Sequence, residues 1–138
     1  MNNVKDLKFL DLDIKSDNRG DLIAIEFEKH FNVPIKRSFL VFGEINTIRG
    51  NHAHIECNQF LCCLSGSCEI RCDDGINSYS QVLNNPSKII KIPNMIWSSQ
   101  RYISEHTILL VFCDLDYCEK DYIRNYKNYL TFRKEICK

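Results

Sequence analysis

Between Lys8 and Cys113 the sequence falls into short apolar or alternating runs, each closed by turn-forming residues. The runs are Lys8–Ile14, Leu22–Phe27, Ile35–Phe42, Gln59–Leu64, Cys68–Cys72, Tyr79–Leu83, Lys88–Ile92, Ile96–Tyr102 and Thr107–Cys113, with the segment around His52 among them. Ser16 to Asp21, Asp73-Asp74-Gly75 and Asn84-Asn85-Pro86-Ser87 supply turn chemistry between them. This spacing predicts roughly ten short strands with no long helical period between them. Such a pattern favours an all-β sandwich or barrel over a parallel sheet with crossover helices. Glu28–Pro34 and Gly43–Gly50 read as connections. The pattern changes after Tyr117, where aromatics at 122, 126, 129 and 132 are spaced as on one helical face. A short C-terminal helical segment, in one or two pieces, is expected there to pack on the strands.

A chain of 138 residues is expected to form one domain spanning 1–138. Lysines and arginines total 18, and so do aspartates and glutamates. With no net charge there is no global field to hold nucleic acid or a membrane surface, so neither is expected as a partner. The start of the chain has no apolar signal-peptide core, and the run Thr107–Cys113 is far short of the ~20 residues of a spanning helix. A cytoplasmic location is therefore expected. The eight cysteines include no Cys-x-x-Cys pair. They are read as reduced thiols, and those at 62, 63 and 113, inside strand-like runs, as small buried hydrophobes.

The chemistry concentrates in Arg49-Gly50-Asn51-His52-Ala53-His54, which holds two of the four histidines. On a strand, side chains two apart share a face, so His52 and His54 are predicted to look out together. Two imidazoles with a nearby guanidinium suit proton transfer on an anionic ligand. His30 and His106 lie outside this segment and are read as structural or surface residues.

After His54 come four residues, Gln59, six residues and Gly66. This spacing resembles the first signature of the cupin superfamily, whose members are small jelly-roll barrels. A second signature is matched by Pro93 to Ser98, with Ser98 where a ligand histidine stands in metal-binding cupins. An amide at 59 and a hydroxyl at 98 are poor partners for a transition metal. No metal or other cofactor is expected.

The match extends further. Asn18-Arg19-Gly20 with Leu22 to Glu26, Pro34-Ile35-Lys36-Arg37, Arg49 to His54, Leu64-x-Gly66-Ser67, Asp73-Asp74-Gly75, Pro93 with Trp97, and Asp121-Tyr122-Ile123-Arg124-Asn125-Tyr126 resemble, in order, the sugar-nucleotide 3,4-ketoisomerases. The resemblance implies a cupin-like jelly-roll barrel and a homodimer with exchanged N-terminal strands. It also implies a dTDP-4-keto-6-deoxyglucose substrate whose ketone moves from C4 to C3, in the making of deoxyamino sugars. His52 is then the base, with His54 as second proton carrier or as the group that orients His52. Arg49 would stabilise the enediolate or hold the pyrophosphate. Arg19 would hold the pyrophosphate, from the partner's exchanged strand. Gln59 would bind a sugar hydroxyl or fix a histidine tautomer, and Trp97 would line the sugar or base pocket.

The segment Arg37 to Phe42 lacks the tyrosines common in that family, leaving Tyr79 or Tyr102 as candidate replacements. Two other readings remain: a non-catalytic sugar-nucleotide-binding cupin, and a 3,5-epimerase-like enzyme.

Overall fold

The structure, a computed structural model, describes residues 1–138. Two five-stranded antiparallel sheets lie face to face. The first runs in the order β1 (Lys8–Asp11), β9 (Lys88–Ile92), β6 (Gln59–Ser65), β11 (Thr107–Cys113), β4 (Arg37–Gly43). The second runs β12 (Tyr122–Ile123), β5 (Ile48–His54), β10 (Trp97–Tyr102), β7 (Cys68–Asp73), β8 (Ser78–Leu83). This is a jelly-roll sandwich, all-β as expected. The hydrogen-bonded ladders end at β1, β4, β8 and β12, so the expected barrel does not close.

Side chains that alternate inward from both sheets fill the space between them. Leu61, Cys63, Ile90, Leu109 and Val111 of the first sheet meet Cys68, Ile70, Cys72, Leu83 and Tyr102 of the second. The outer faces are also covered. On the first sheet, Phe60, Cys62, Ile89 and Phe112 pack against Leu12 and Phe31. On the second, Ala53 and Met95 lie beneath Tyr129 of α2 (Tyr126–Ile136). Because β6 is covered on both sides, Gln59 to Cys63 are all buried, which is why that stretch reads as a continuous apolar run.

Three expected elements are redrawn. The strand expected over Lys8–Ile14 stops at Asp11, because Leu12 turns into the outer cluster and its N–H donates to Ser87 O at 2.7 Å. The chain then forms a separate exposed hairpin, β2 (Ile14–Asp17) with β3 (Gly20–Ile23). The strand expected over Leu22–Phe27 ends at Ile23, and Phe27–His30 forms one helical turn, α1, with the Phe27 ring 5.7 Å from both Phe31 and Phe112. Finally, β5 begins at Ile48, so Arg49 and Gly50 belong to the histidine strand rather than to the connection before it. No helix is long and apolar enough to cross a membrane.

Candidate active site

Residues directly opposite each other in an antiparallel ladder point the same way. His52 stands opposite the buried Ser98 on β10, and His54 stands opposite Tyr122 on β12. The two imidazoles therefore share the inner face, as their spacing predicts, with ring centroids 5.0 Å apart. Facing them from the first sheet is a row of directly opposed residues, Gln59 on β6, Cys113 on β11 and Arg37 on β4.

Arg49 reaches the inner face by a different route. It is three residues before His52, so a regular strand would point it outward. The ladder slips between Ser98 and Ser99, pairing Ser99 with Gly50 and Gln100 with Arg49 and leaving Asn51 as an extra residue. This β-bulge restores Arg49 to the side of Gln100. It requires left-handed backbone at Gly50 (φ 81°) and Asn51 (φ 56°). Glycine is further demanded because a Cβ at 50 would sit 2.5 Å from Gln100 Oε1. The Arg49 side chain is exposed, and its charge partly offsets the effect of burial, which raises the pKa of the Tyr102 phenol.

His54 is buried and tied down. Its Nδ1–H donates to Asp121 Oδ2 at 2.8 Å, and Asp121 Oδ1 accepts from Glu56 N at 2.7 Å. A carboxylate only accepts, so the proton is held on Nδ1 and the Nε2 lone pair is free. Burial lowers the His54 pKa, while Asp121 works against that shift. His52 is pushed down to about 4, first by burial and then by the neighbouring His54. It is therefore a neutral imidazole at physiological pH. Both ring nitrogens of His52 and Nε2 of His54 are buried without a partner. Buried polar atoms are nearly always paired, so three unpaired imidazole nitrogens in one patch mark a place for a ligand.

The other assigned residues separate into two groups. Gln59 is in the site, where its Nε2 donates to Cys113 Sγ at 3.6 Å. That bond acts with Cys57 and Arg37 to lower the pKa of the Cys113 thiol, the Cys57 contact being the largest cause. Trp97 is not brought to the histidines. Strand alternation puts it on the outer face beneath α2, where it packs on Tyr126 and Tyr129 with centroids 5.2 and 5.5 Å away. There it borders a 560 Å³ surface cavity with Arg71 and Arg101. Arg19 lies at the tip of the β2–β3 hairpin, exposed and paired with Asp17, with no contact to the histidines of its own chain.

Several site residues were not singled out from the sequence for chemistry. Asp121 and Tyr122 lie in the tail segment, and the tail's aromatic spacing assigned Tyr122 to a helix. In the structure Tyr122 is on β12, its ring 4.3 Å from that of His54 and 5.1 Å from that of His52. Arg37 donates from Nη2 to the Tyr122 phenol oxygen at 3.4 Å and to Cys113 Sγ at 3.5 Å. Neither candidate replacement phenol is here. Tyr79 is exposed on β8, and Tyr102 is buried at the far end of β10 from Ser98. As for metals, the ligand atoms of His54, Cys57 and Asp121 fall within 4.8 Å of one another, but there Nδ1 and the carboxylate already hold each other.

Residues 5–134 match the model of the FdtA family, described as WxcM-like, C-terminal. The TDP-4-oxo-6-deoxy-α-D-glucose-3,4-oxoisomerase of Aneurinibacillus thermoaerophilus is 37% identical over 125 residues, 88% of this chain and 86% of that protein. A 3,4-ketoisomerase from Helicobacter canadensis superposes with a TM-score of 0.89 at 39% identity, covering 94% of this chain and 98% of its own. QdtA, a sugar 3,4-ketoisomerase from Thermoanaerobacterium thermosaccharolyticum solved with TDP, gives a TM-score of 0.91 at 30% identity over 97% of this chain and 98% of its own. With the sequence matched nearly end to end and the paired imidazoles in place, the chain belongs to the FdtA, WxcM-like family of sugar-nucleotide 3,4-ketoisomerases.

Proposed function

We infer that the protein is an isomerase that moves the ketone of a dTDP-4-keto-6-deoxyhexose from C4 to C3. The observation that carries this reading is the pair of inward imidazoles with three unpartnered nitrogens, one of them backed by Asp121. Its relatives supply the substrate class: besides the TDP complex, an asparagine-for-histidine mutant of QdtA was solved with TDP-4-keto-6-deoxyglucose.

The chemistry follows from what a neutral imidazole can do. A hydrogen on C3 is acidic because it lies next to the C4 ketone. His52, held neutral by burial, removes it, and the C–H electrons form the C3=C4 bond of an enediol. Protonation at C4 with formation of C3=O completes the transfer, and no redox partner is consumed. His54, fixed in one tautomer by Asp121, orients His52 or shares its proton. Gln59 offers an amide to a sugar hydroxyl. Arg49, at the start of β5 and roughly 7–10 Å along the strand from His52, would in this reading hold the phosphates rather than the enediolate.

The working unit in this reading is a cytoplasmic homodimer with exchanged N-terminal strands. The exposed β2–β3 hairpin, with Ile14 and Leu22 bare on its surface, supports it. The hairpin would carry Arg19 to the partner's site. The 3-keto product suits an aminotransferase that would install nitrogen at C3.

Proton NMR of dTDP-4-keto-6-deoxyglucose with the protein in D2O tests the reading. Conversion to the 3-keto sugar with deuterium entering at the exchanged carbon is expected, and His52→Asn is expected to lower the rate by about 10²–10⁴-fold. If the wild type neither converts nor exchanges the substrate, the assignment is wrong.

A further inference from the structure

The isomerisation moves protons on oxygen as well as on carbon. O4 must gain a proton as the enediol forms, and O3 must lose one as the new ketone forms. The imidazoles account for the carbon protons only. We propose that Tyr122 carries the oxygen protons, with Arg37 holding its phenol; the proposal rests on the ketoisomerase reading above.

Three observations lead to this residue. Tyr122 is the cross-strand neighbour of His54, so it shares the inner face, and its ring touches both imidazoles. Its oxygen accepts from Arg37 Nη2, and a guanidinium has only donors, so the phenol's own proton is left to point elsewhere. Two cations flank it, Arg37 at the oxygen and Arg124 with its guanidinium carbon 4.2 Å from the ring centroid.

Elimination points the same way. The chain has six tyrosines. Tyr79, Tyr117 and Tyr126 donate to Gln81, Glu119 and Asp73, at 3.0, 2.6 and 2.8 Å. Tyr129 donates to the Asp73 and Met95 carbonyls. Tyr102 has an unpartnered hydroxyl, but its ring is packed against Gly43 at the far end of the sandwich. Only Tyr122 combines an undirected proton with contact to the histidines.

The proton balance closes. As His52 takes the C3 hydrogen, the C–H pair becomes the C3=C4 bond, the carbonyl pair moves onto O4, and O4 takes the Tyr122 proton. The phenolate, paired with Arg37, then takes the proton of O3. The O3–H pair becomes the C3=O bond, and the C3=C4 pair takes the proton at C4 from the imidazolium. Phenol and imidazole both end as they began. One phenol serves both oxygens because they are on adjacent carbons.

The test is to compare wild type, Tyr122→Phe and Arg37→Met for conversion and for C3 hydrogen washout in D2O. Tyr122→Phe keeps the ring contacts. It is expected to lose about 10²-fold or more in kcat with KM within a few-fold, and C3 washout is expected to fall with conversion, because the phenol gives O4 its proton in the step that frees the C3 hydrogen. Arg37→Met is expected to lower kcat in the same direction. Conversion by Tyr122→Phe within a few-fold of wild type, or a loss that lies in KM rather than kcat, overturns the proposal. These results are distinct from failure of the ketoisomerase reading, in which the wild type itself shows neither conversion nor washout.

Discussion

His52 and His54 are held neutral mainly by burial, and this sets how both activity and stability respond to acid. The folded-state pKa of His52 is about 4, against about 6.5 when unfolded, and that of His54 is lowered as well. Between those two values the unfolded chain binds more protons than the folded one, so stability falls as pH falls. No loss is expected above about pH 7. The loss from His52 grows from pH ~6.5 downward and approaches, at most, about 3 kcal/mol near pH 4. Urea unfolding at a series of pH values checks this, with His52→Asn expected to flatten the slope. The acid limb of kcat/KM in the free enzyme is expected to follow the same group and lie well below pH 6.5. The pairing of His52 with His54 could be read from their spacing alone. Asp121 could not, because it reaches His54 across 67 residues and no local pattern announces it. The separation of Trp97 from the histidines was hidden for a related reason: alternation parts it from Ser98, but only the register with β5 shows which of the two faces the histidines.

At the scale of the element, β5 shows how a single extra residue serves the site. Without the Gly50–Asn51 bulge, Arg49 and the histidines would face opposite ways. Gly50→Ala meets both a left-handed φ of 81° and a Cβ contact of 2.5 Å with Gln100 Oε1. It is expected to cost about 1–3 kcal/mol in denaturant unfolding, and to weaken nucleotide-sugar binding more than it slows the chemical step. Strands β6 to β11 were legible because each run matches one buried or half-buried pleat and ends at a turn signal. The two-residue β12 was not. The aromatics at 122, 126, 129 and 132 continue one helical period across a strand and a helix, and only the last three are on α2. What makes Tyr122 a strand residue is its pairing with His54, a contact that no window of local sequence contains.

For the whole molecule, the isolated β2–β3 hairpin is the element through which the proposed homodimer would be tested. If Arg19 acts in the partner's site, each site draws on two chains. Mixing Arg19→Ala with His52→Asn protein, each nearly inactive alone, is then expected to restore activity as subunits exchange. Random exchange makes half of the dimers mixed, with one of their two sites intact, so recovery should approach about one quarter of wild type. A mixture that stays inactive after exchange is shown by sedimentation or mass spectrometry would place Arg19 outside the site. The thiols have a separate consequence. Six of the eight are buried, while Cys118 and Cys137 are exposed. Burial also raises the pKa of the Cys62, Cys63, Cys68 and Cys72 thiols, which keeps them unreactive while the fold is closed. Every global opening therefore offers six further sulfurs to oxygen. An oxidised or mispaired sulfur cannot return to those tightly packed positions, so under air the unfolding of this chain becomes a one-way loss, and its working lifetime is set by how often it opens rather than by its equilibrium stability.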